Sequence, residues 1–500
     1  MALCAGMWFS RARLASLIAA WIPLCLAAVQ PADEVRSAGT AEAQAPASGY
    51  AEDRILVQPK AGASHEAIAE LHSARQGRVI RTFENMGRLQ VIALPPGEAV
   101  PGFVDKYQKS GLVEFAEPDY LGHVAAIPND TYYTNGTLWG LDKIEAPAAW
   151  AVLHAAGNIL VAVLDTGVRY THEDLAPNMW VNPNDGGHGW NALTGTNNPA
   201  DDSGHGTLVA GVLGAVGNNG KGVVGVAWGV KIMGCKCFNN LGVGKVSDAV
   251  TCLDYARTNG ARIINASWGF TNSLALSNAV ASLRDAGIIL VAACGNSANP
   301  VNIDVNPVYP AGYGLDNVVS VAYTTRSDTL AAFSNYGATN VHLAAPGEQI
   351  TSTYGAMDSG QFAYYTDSGT SFAAPYVAGA CALLLAEYPG ESHRQIINRL
   401  LSATDPLPSL AGKCVTGGRL NLRKALTPIR LAVIPSAPNG PFRLRLSAAT
   451  NLTCVIEAST GPTGWHPLAT NITSAEGTFY FTDSQPANEA QKWYRAVALP

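Results

Sequence analysis

Three residues at the ends of apolar segments carry side chains that could together cleave an acyl bond. Asp165 follows the apolar run ILVAVL, His205 opens a helical pattern, and Ser371 opens another. A hydroxyl is a weak nucleophile unless an imidazole accepts its proton, and the imidazole needs a carboxylate to fix its tautomer. Taken singly, Asp165 also fits a turn former and Ser371 an ordinary N-cap. Together, in the chain order Asp, His, Ser, they predict nucleophilic catalysis by Ser371.

Alternating strand and helix patterns over residues 126–427 must position these side chains. Such alternation builds a parallel sheet with helices on both faces, and ligands bind at the carboxyl ends of its strands. The sequence therefore predicts an α/β catalytic domain. The predicted strands are 159–164, 230–235, 261–266, 288–293 and 318–322, and the predicted helices are 206–216, 247–258, 274–286, 371–387 and 393–402.

Four further segments flank this domain. Residues 1–30 combine two arginines with an uncharged apolar stretch, which predicts a secretory signal peptide rather than a membrane anchor. Residues 31–49 have the composition of a linker. Residues 50–125 follow the order βαββαβ, which predicts a ferredoxin-like unit. Residues 428–500 form short β-rich runs separated by Gly, Pro and Asn, which predict a small β-sandwich.

Composition excludes several classes of function. The 500 residues carry 32 Lys+Arg and 38 Asp+Glu, a net charge of −6, and only 14% are charged. Nucleic acids and anionic membranes need clustered basic residues, which the sequence does not show. No segment after the signal peptide is apolar for long enough to span a membrane, so we expect a secreted protein. We also expect the protein to be bacterial and monomeric.

Seven of the nine cysteines follow the signal peptide. An odd number leaves at least one thiol unpaired. Cys235 and Cys252 are the predicted pair if a disulfide exists, and the alternative is that the cysteines are small buried apolar residues.

Five sequence blocks closely resemble the subtilisin-like serine proteases, over about 300 residues and in the same order: VAVLDTGVRYTHEDL, DDSGHGTLVAGV, INASWGF, VAACGNS and GTSFAAPYVAGA. The resemblance implies that Asp165, His205 and Ser371 form the catalytic triad. It also implies that Asn296 donates to the oxyanion. An esterase of the α/β-hydrolase type is excluded because Ser371 lies outside a Gly-x-Ser-x-Gly motif and comes last of the three. An inactive peptide-binding relative is the remaining alternative.

By the same resemblance, an extended substrate lies between two backbone edges. The implied substrate-binding residues are Gly242, Val243, Gly244, Ser267, Trp268, Gly269, Ala293 and Gly295. Val308 is expected near the base of the primary pocket, which holds no carboxylate and so favours uncharged side chains. Trp268 is equally compatible with core packing behind the cleft.

The resemblance also implies a structural calcium ion. Hard cations bind carboxylate, amide and carbonyl oxygens. The matching residues are Asp130, Asp174 and Asn219, with carbonyls near Val216, Lys221 and Val223. These side chains could alternatively cap turns. Asp201 and Asp202 are a second, weaker candidate pair for an ion.

Residues 50–125 resemble the inhibitor propeptide of this family. The resemblance implies that its tail, from Tyr120 to about Ala126, occupies the substrate cleft until cleavage between His123 and Pro128. The implied partners are thus the chain's own propeptide and protein or peptide substrates. Leu208, Phe372 and Tyr376 differ from the residues that are usual at these positions in the family. None of them replaces a catalytic group.

Overall fold

The computed structural model describes residues 50–120, 127–355, 363–434, 442–448, 452–460, 464–474, 478–483 and 492–498. The chain divides into two compact units, residues 1–121 and 122–500. The expected signal peptide and linker lie outside the described residues, as does 121–126, which contains most of the expected propeptide tail.

The first unit contains four antiparallel strands and two helices: β1 (Tyr50–Pro59), α1 (His65–Ala74), β2 (Arg78–Phe83), β3 (Leu89–Ala93), α2 (Val100–Gln108) and β4 (Val113–Tyr120). The strand order β2-β3-β1-β4 is that of the predicted ferredoxin-like unit. Its core is formed where Ile55 and Ile92 of the sheet meet Phe103 and Tyr107 of α2, all fully buried. The Ser64 hydroxyl caps α1 by accepting from the Ala67 N–H at 3.1 Å.

The second unit is built on a nine-stranded sheet with the order β14-β15-β11-β10-β9-β8-β5-β7-β6. All neighbouring pairs are parallel except β14 and β15. Its strands are β5 (Leu160–Asp165), β6 (Gly189–Asn191), β7 (Lys231–Lys236), β8 (Ile263–Ala266), β9 (Ile289–Ala293), β10 (Val318–Thr324), β11 (Leu343–Pro346), β14 (Asp405–Pro406) and β15 (Gly418–Arg419). The parallel sheet confirms the predicted fold class.

Helices cover both faces of this sheet because its strands are apolar on both sides. Val161 and Val163 of β5 join one core cluster, whereas Ala162 and Leu164 join the other. The helices are α3 (Thr131–Thr134), α4 (Trp139–Lys143), α5 (Ala146–Trp150), α6 (His205–Gly214), α7 (Val246–Thr258), α8 (Leu274–Asp285), α9 (Thr370–Glu387), α10 (His393–Ser402) and α11 (Leu422–Leu426). Among the described residues only α9 is long and apolar enough to cross a membrane, and 83% of it is buried inside the unit.

One element near the predicted site is absent from the sequence-based prediction. Strands β12 (Ile350–Tyr354) and β13 (Ala363–Asp367) pair antiparallel outside the main sheet. Ser352 and Thr353 of β12 donate from their hydroxyls to the Leu208 and Thr207 carbonyls, both at 2.8 Å, and so attach the pair to α6. Strand β13 then leads directly into α9.

The C-terminal residues form two three-stranded antiparallel sheets, as the predicted sandwich requires. Leu444, Leu446 and Phe479 from one sheet share a buried core with Cys454 and Ile456 from the other. The strands are β16 (Arg430–Ile434), β17 (Phe442–Ser447), β18 (Thr453–Ser459), β19 (His466–Ile472), β20 (Thr478–Asp483) and β21 (Trp493–Ala498).

Candidate active site

Asp165 and His205 meet at the carboxyl edge of the parallel sheet. Asp165 is the last residue of β5 and is 2% exposed. His205 Nδ1 lies 2.7 Å from Asp165 Oδ1. A carboxylate accepts hydrogen bonds, so Nδ1 carries the hydrogen and donates a hydrogen bond to Asp165. This leaves Nε2 as the basic nitrogen.

Local sequence fixes the start of α6 at His205. Gly204 has φ +100°, and a Cβ there would enter the ring of Tyr354. The buried carboxylate of Asp201 caps the helix, since it accepts from the N–H groups of Ser203, Gly204 and Thr207, each at 3.0 Å. The histidine is therefore held on a capped helix end.

Ser371 lies across the same edge, in the first turn of α9. Its hydroxyl donates to the carbonyl of Ser267 at 3.2 Å, and the Ser267 hydroxyl donates to the carbonyl of Ser371 at 2.8 Å. The Ser371 hydroxyl is therefore hydrogen-bonded to Ser267 and not to His205. N–H groups in a first helical turn have no acceptor within the helix, so the Ser371 N–H remains available.

Asn296 is held beside Ser371 by its carbonyl end. Its Oδ1 accepts from Thr370 N at 2.9 Å and from Thr370 Oγ1 at 3.1 Å. This orients the side chain so that the Nδ2 donors remain unused by Thr370. The Asn296 amide is thus anchored to the residue directly before Ser371, and an amide N–H is the kind of donor that an oxyanion site uses.

The environment of His205 sets its basicity. Burial favours the neutral imidazole, but the charge and hydrogen bond of Asp165 outweigh it, so the pKa of His205 is raised. Asp201 and Asp367 shift it in the same direction. The imidazolium that forms when His205 accepts a proton is thereby stabilised.

A cleft of about 450 Å³ adjoins Asp165 and His205, and its walls include most of the predicted substrate edges. Gly242, Ser267, Trp268 and Gly269 line it. Val243 is 63% exposed on the same loop. Gly244 forms a backbone bridge with Phe238, which closes the loop.

The residues expected to form the primary pocket lie on β9, on the segment after it and on a neighbouring loop. Ala293 ends β9, and Gly295 follows two residues later. Val308 contacts the positions where Cβ atoms on Gly269 and Gly295 would lie, so it is packed against both of these glycines. The carbonyl of Gly295 accepts from the Asn335 N–H at 3.0 Å, which fixes the pocket wall.

One aromatic side chain that lines the cleft, Phe238, was missing from the sequence prediction. Phe238 lines the cleft, and its ring lies 5.6 Å from Trp268 and 5.7 Å from Phe270. The Trp268 indole N–H donates to the Leu164 carbonyl at 2.8 Å, so this residue both packs behind the cleft and lines it. Phe238 lies three residues after the end of the predicted strand 230–235, and its closeness to that strand end was the available signal.

The three expected calcium ligands come together in space. Asp130 and Asp174 are fully buried, and Asn219 Nδ2 donates to Asp174 Oδ1 at 2.8 Å. The backbone N–H groups of Asn218 and Val223 donate to Asp130 and Asp174 at 2.7 and 2.9 Å. Burial raises the pKa of Asp130, and the charge of Asp174 adds to that shift.

The donor set fits a hard cation in part. Two buried carboxylates face neutral donors, while Lys221 of the same loop pairs with Glu173 at 3.1 Å. Among the described residues no group of three or more His, Cys, Asp or Glu could hold a metal ion, so amide and carbonyl oxygens must complete the set. The Asn219 amide would have to turn its oxygen towards the ion, because its Oδ1 now accepts from the Lys221 N–H at 2.8 Å.

Two secondary predictions are wrong. Cys235 and Cys252 form no disulfide, and all seven cysteines of the described part of the chain are buried free thiols. The apolar alternative therefore holds, because Cys235, Cys237 and Cys252 are packed in one core cluster. Asp201 and Asp202 do not form an ion site: Asp201 caps α6, and Asp202 pairs with Lys236 at 2.6 Å.

The three unusual residues are packing groups. Leu208, Phe372 and Tyr376 are all buried in one core cluster, and the Phe372 ring lies 5.7 Å from His205. They pack in the core that supports the His205 imidazole, and the hydrogen bond from this imidazole to Asp165 is present.

Comparisons with known proteins agree with this geometry. A family model described as the Subtilase family matches residues 156–422, and one described as the Fervidolysin N-terminal prodomain matches residues 36–119. The chain is 34% identical over 380 residues to the thermophilic serine proteinase of Bacillus sp. (strain AK1), with 76% of this chain and 88% of that protein covered. It is 35% identical over 300 residues to thermitase of Thermoactinomyces vulgaris, covering 60% and 99%.

Among solved structures, a protease from Pseudoalteromonas arctica aligns with a TM-score of 0.52 and 29% identity, over 60% of this chain and 99% of that one. The sheet, the site at its carboxyl edge and these relatives define a serine protease that is made with an N-terminal prodomain. The chain belongs to the subtilase family. The comparisons give no support to the inactive alternative.

Proposed function

We propose that this serine protease hydrolyses peptide bonds through Asp165, His205 and Ser371, by way of an acyl-enzyme. The observation that supports the assignment most directly is the 2.7 Å hydrogen bond between His205 and Asp165, formed in a cleft that Ser267, the hydrogen-bonding partner of Ser371, also lines. In the first step Nε2 of His205 accepts the Ser371 proton while Oγ attacks the substrate carbonyl. The imidazolium then protonates the leaving amine, and water repeats the sequence on the acyl-enzyme.

Stabilisation of the tetrahedral intermediate falls to Asn296 and the Ser371 backbone. The carbonyl oxygen acquires negative charge in the transition state and carries a full charge in the tetrahedral intermediate. Donors that are already oriented lose little free energy by reorganising at that moment. The Thr370 contacts to Asn296 Oδ1 supply this orientation.

Substrate is expected to bind extended between the loop Gly242, Val243, Gly244 and the segment Ser267, Trp268, Gly269. Backbone groups then supply affinity, and pockets beside alternate side chains supply selectivity. Ala293, Gly295 and Val308 present no charge to the primary pocket, so uncharged side chains are the expected preference.

The flanking segments are assigned to export and maturation. The first 30 residues direct secretion from a bacterial cell, and residues 50–125 act as the chain's own inhibitor until they are removed. The subsequent domain boundaries are 126–427 for catalysis and 428–500 for the β-sandwich. We expect a monomer without nucleic-acid partners or a membrane span.

Calcium is assigned to Asp130, Asp174 and Asn219 as a stabilising ion. Its chemistry there is charge neutralisation of two buried carboxylates. These residues join the start of the second unit to the loop after α6, so the ion would restrain that loop without touching the reacting atoms.

The test is a stoichiometric reaction with a serine-directed fluorophosphonate, followed by peptide mapping. One label per molecule on Ser371 is expected, together with loss of peptidase activity. In parallel, Ser371→Ala should leave an uncleaved proform by intact-mass measurement. Label on another residue, with activity retained, would refute the assignment.

A further inference from the structure

Lys236 is a buried cation that the mechanism above does not use. It is 4% exposed at the end of β7 and lies opposite Asp165 in the parallel register. Placing an ammonium group in such a position costs free energy unless it is paired and hydrogen-bonded. A lysine at a strand end beside the catalytic acid therefore calls for a specific reason.

All three donors of the ammonium group are used. Lys236 Nζ donates to the Thr166 carbonyl at 2.6 Å, to Asp202 Oδ1 at 2.6 Å and to the Phe238 carbonyl at 2.9 Å. A lysine has three N–H donors and no acceptor, so this set is complete. Among the described residues its one charged partner is Asp202, whose side chain is 52% exposed.

The three acceptors belong to three separate parts of the active site. Thr166 follows Asp165, and its N–H donates to Asp165 Oδ1 at 2.7 Å. Asp202 precedes His205 by three residues in the capping loop of α6. Phe238 begins the loop that carries the expected substrate edge, and it lines the cleft.

We infer that Lys236 is a positioning residue, which holds the Asp165 strand end, the His205 loop and the Phe238 cleft wall in one fixed arrangement. It touches neither substrate nor the reacting atoms. Its effect on turnover acts through the orientation of the Asp165–His205 pair, and its effect on substrate affinity acts through Phe238. This inference rests on the proposed roles of Asp165 and His205.

The first test replaces Lys236 with methionine, which keeps the apolar stem and removes the ammonium group. A displacement of about 1 Å in a catalytic group can cost on the order of 10²-fold in rate. We expect kcat to fall about 10- to 100-fold and KM to rise, both measured per site titrated with the fluorophosphonate. Titration removes the contribution of any misfolded fraction.

Two variants separate positioning from charge. Asp202→Asn keeps the lysine and its two carbonyl contacts, so kcat per titrated site should fall less than threefold. The double variant Lys236→Met, Asp202→Asn leaves no unpaired charge and should remain as slow as Lys236→Met alone. Recovery of the double variant to the wild-type rate would mean that an unpaired Asp202 had caused the loss, and would overturn the inference.

The matched control is Lys231→Met, at the opposite end of the same strand and away from the cleft. It should keep both constants. If Lys236→Met lowers only the melting temperature or the titratable fraction, with kcat and KM per site unchanged, Lys236 is structural and the inference is wrong. Absence of labelling at Ser371 in the unaltered protein would instead contradict the proposed function, so the two failures are distinguishable.

Discussion

Each unit of the chain encloses a histidine, and the two imidazoles respond to their surroundings in opposite ways. In the first unit His72 is 5% exposed and hydrogen-bonds the Tyr107 hydroxyl and the Gln90 amide oxygen, both at 2.9 Å. Burial lowers the pKa of His72, and the Gln90 contact offsets only part of that shift. In the second unit burial acts in the same direction on His205, but Asp165 reverses it.

The difference lies in the charge of the partner. A neutral hydroxyl or amide satisfies the hydrogen bonds of an imidazole but stabilises its positive charge only weakly, whereas a carboxylate stabilises that charge through both its hydrogen bond and its own negative charge. His72 is thus a core residue that remains neutral, and His205 is a base that can accept a proton. Replacing the charged partner of His205 should lower its basicity, and lowering the pH should protonate His72 when its segment unfolds.

The largest expected effect comes from making the His205 partner neutral. Asp165→Asn keeps the side-chain shape but favours the wrong imidazole tautomer, and the corresponding change in a serine protease triad lowers kcat about 10⁴-fold. The acid limb of the pH–rate profile should also move to lower pH, because the carboxylate that raises the pKa of His205 is gone. Protein processed in trans by the unaltered enzyme provides the sample. A loss below tenfold would contradict the triad assignment.

Asn296→Ala should produce the next largest effect without changing His205. Removal of an oxyanion donor is expected to lower kcat by about 10²–10³, the magnitude known for subtilisin itself, while KM changes little because the bond forms mainly in the transition state. The acid limb should stay in place, unlike that of Asp165→Asn. A higher KM at constant kcat would make Asn296 a binding residue instead.

Sequence patterns located the site residues because their places are local: Asp165 ends an apolar strand, and His205 and Ser371 open apolar helices. The partners of each side chain were less accessible. Acidic residues before a helix are compatible with both a helix cap and an ion site. The role of Asp201 as a cap could therefore be assigned only from its hydrogen bonds in the folded structure. Lys236 was not singled out, because two of its acceptors, the Thr166 carbonyl and Asp202, are distant in sequence. The third, the Phe238 carbonyl, is two residues away.

For the fold too, features set by local sequence patterns were predicted, and features set by contacts between distant residues were not. Five of the nine strands of the main sheet are apolar runs that the sequence predicted, and their predicted ends differ from the observed ones by at most two residues. The short strands β6, β11, β14 and β15 were not predicted. Strands β12 and β13 were missed because their contacts, such as Thr353 to the Thr207 carbonyl, are made far along the chain. The Cys235–Cys252 bridge failed for a related reason, because spacing cannot distinguish packed thiols from a disulfide.

Asp130 and Asp174 extend the comparison to buried acids that form no ion pair with a lysine or arginine in the described part of the chain. A calcium ion bound only by the folded protein adds about 2.7 kcal/mol at a hundredfold excess over Kd, equivalent to about a hundredfold in the folding equilibrium. Chelation should therefore speed thermal inactivation and autolysis, while initial rates stay nearly constant. Asp174→Ala should behave like the chelated protein and ignore added calcium. Equal inactivation half-lives with calcium and with chelator would exclude the ion.

The smallest expected effect concerns the neutral histidine of the first unit. The folded-state pKa of His72 lies below its usual value near 6.5, so the unfolded segment binds a proton more readily. The stability that neutral His72 contributes is complete above the unfolded pKa and is lost as pH falls below about 6.5. The limiting slope for one proton is about 1.4 kcal/mol per pH unit, or tenfold in the opening equilibrium.

This slope can be measured on the full chain in the Ser371→Ala background, where the proform should stay intact. Hydrogen-exchange protection of residues 50–120, corrected for intrinsic rates, should fall between pH 7 and pH 5, while protection around β5 and α6 changes less. Adding His72→Gln removes the titrating group, so protection at pH 7 should drop and its dependence on pH should flatten. If the double variant keeps the full slope, other groups of the unit cause it. In that case the contrast between His72 and His205 would not extend to stability, because proton uptake on unfolding would no longer trace to the neutral partners of His72.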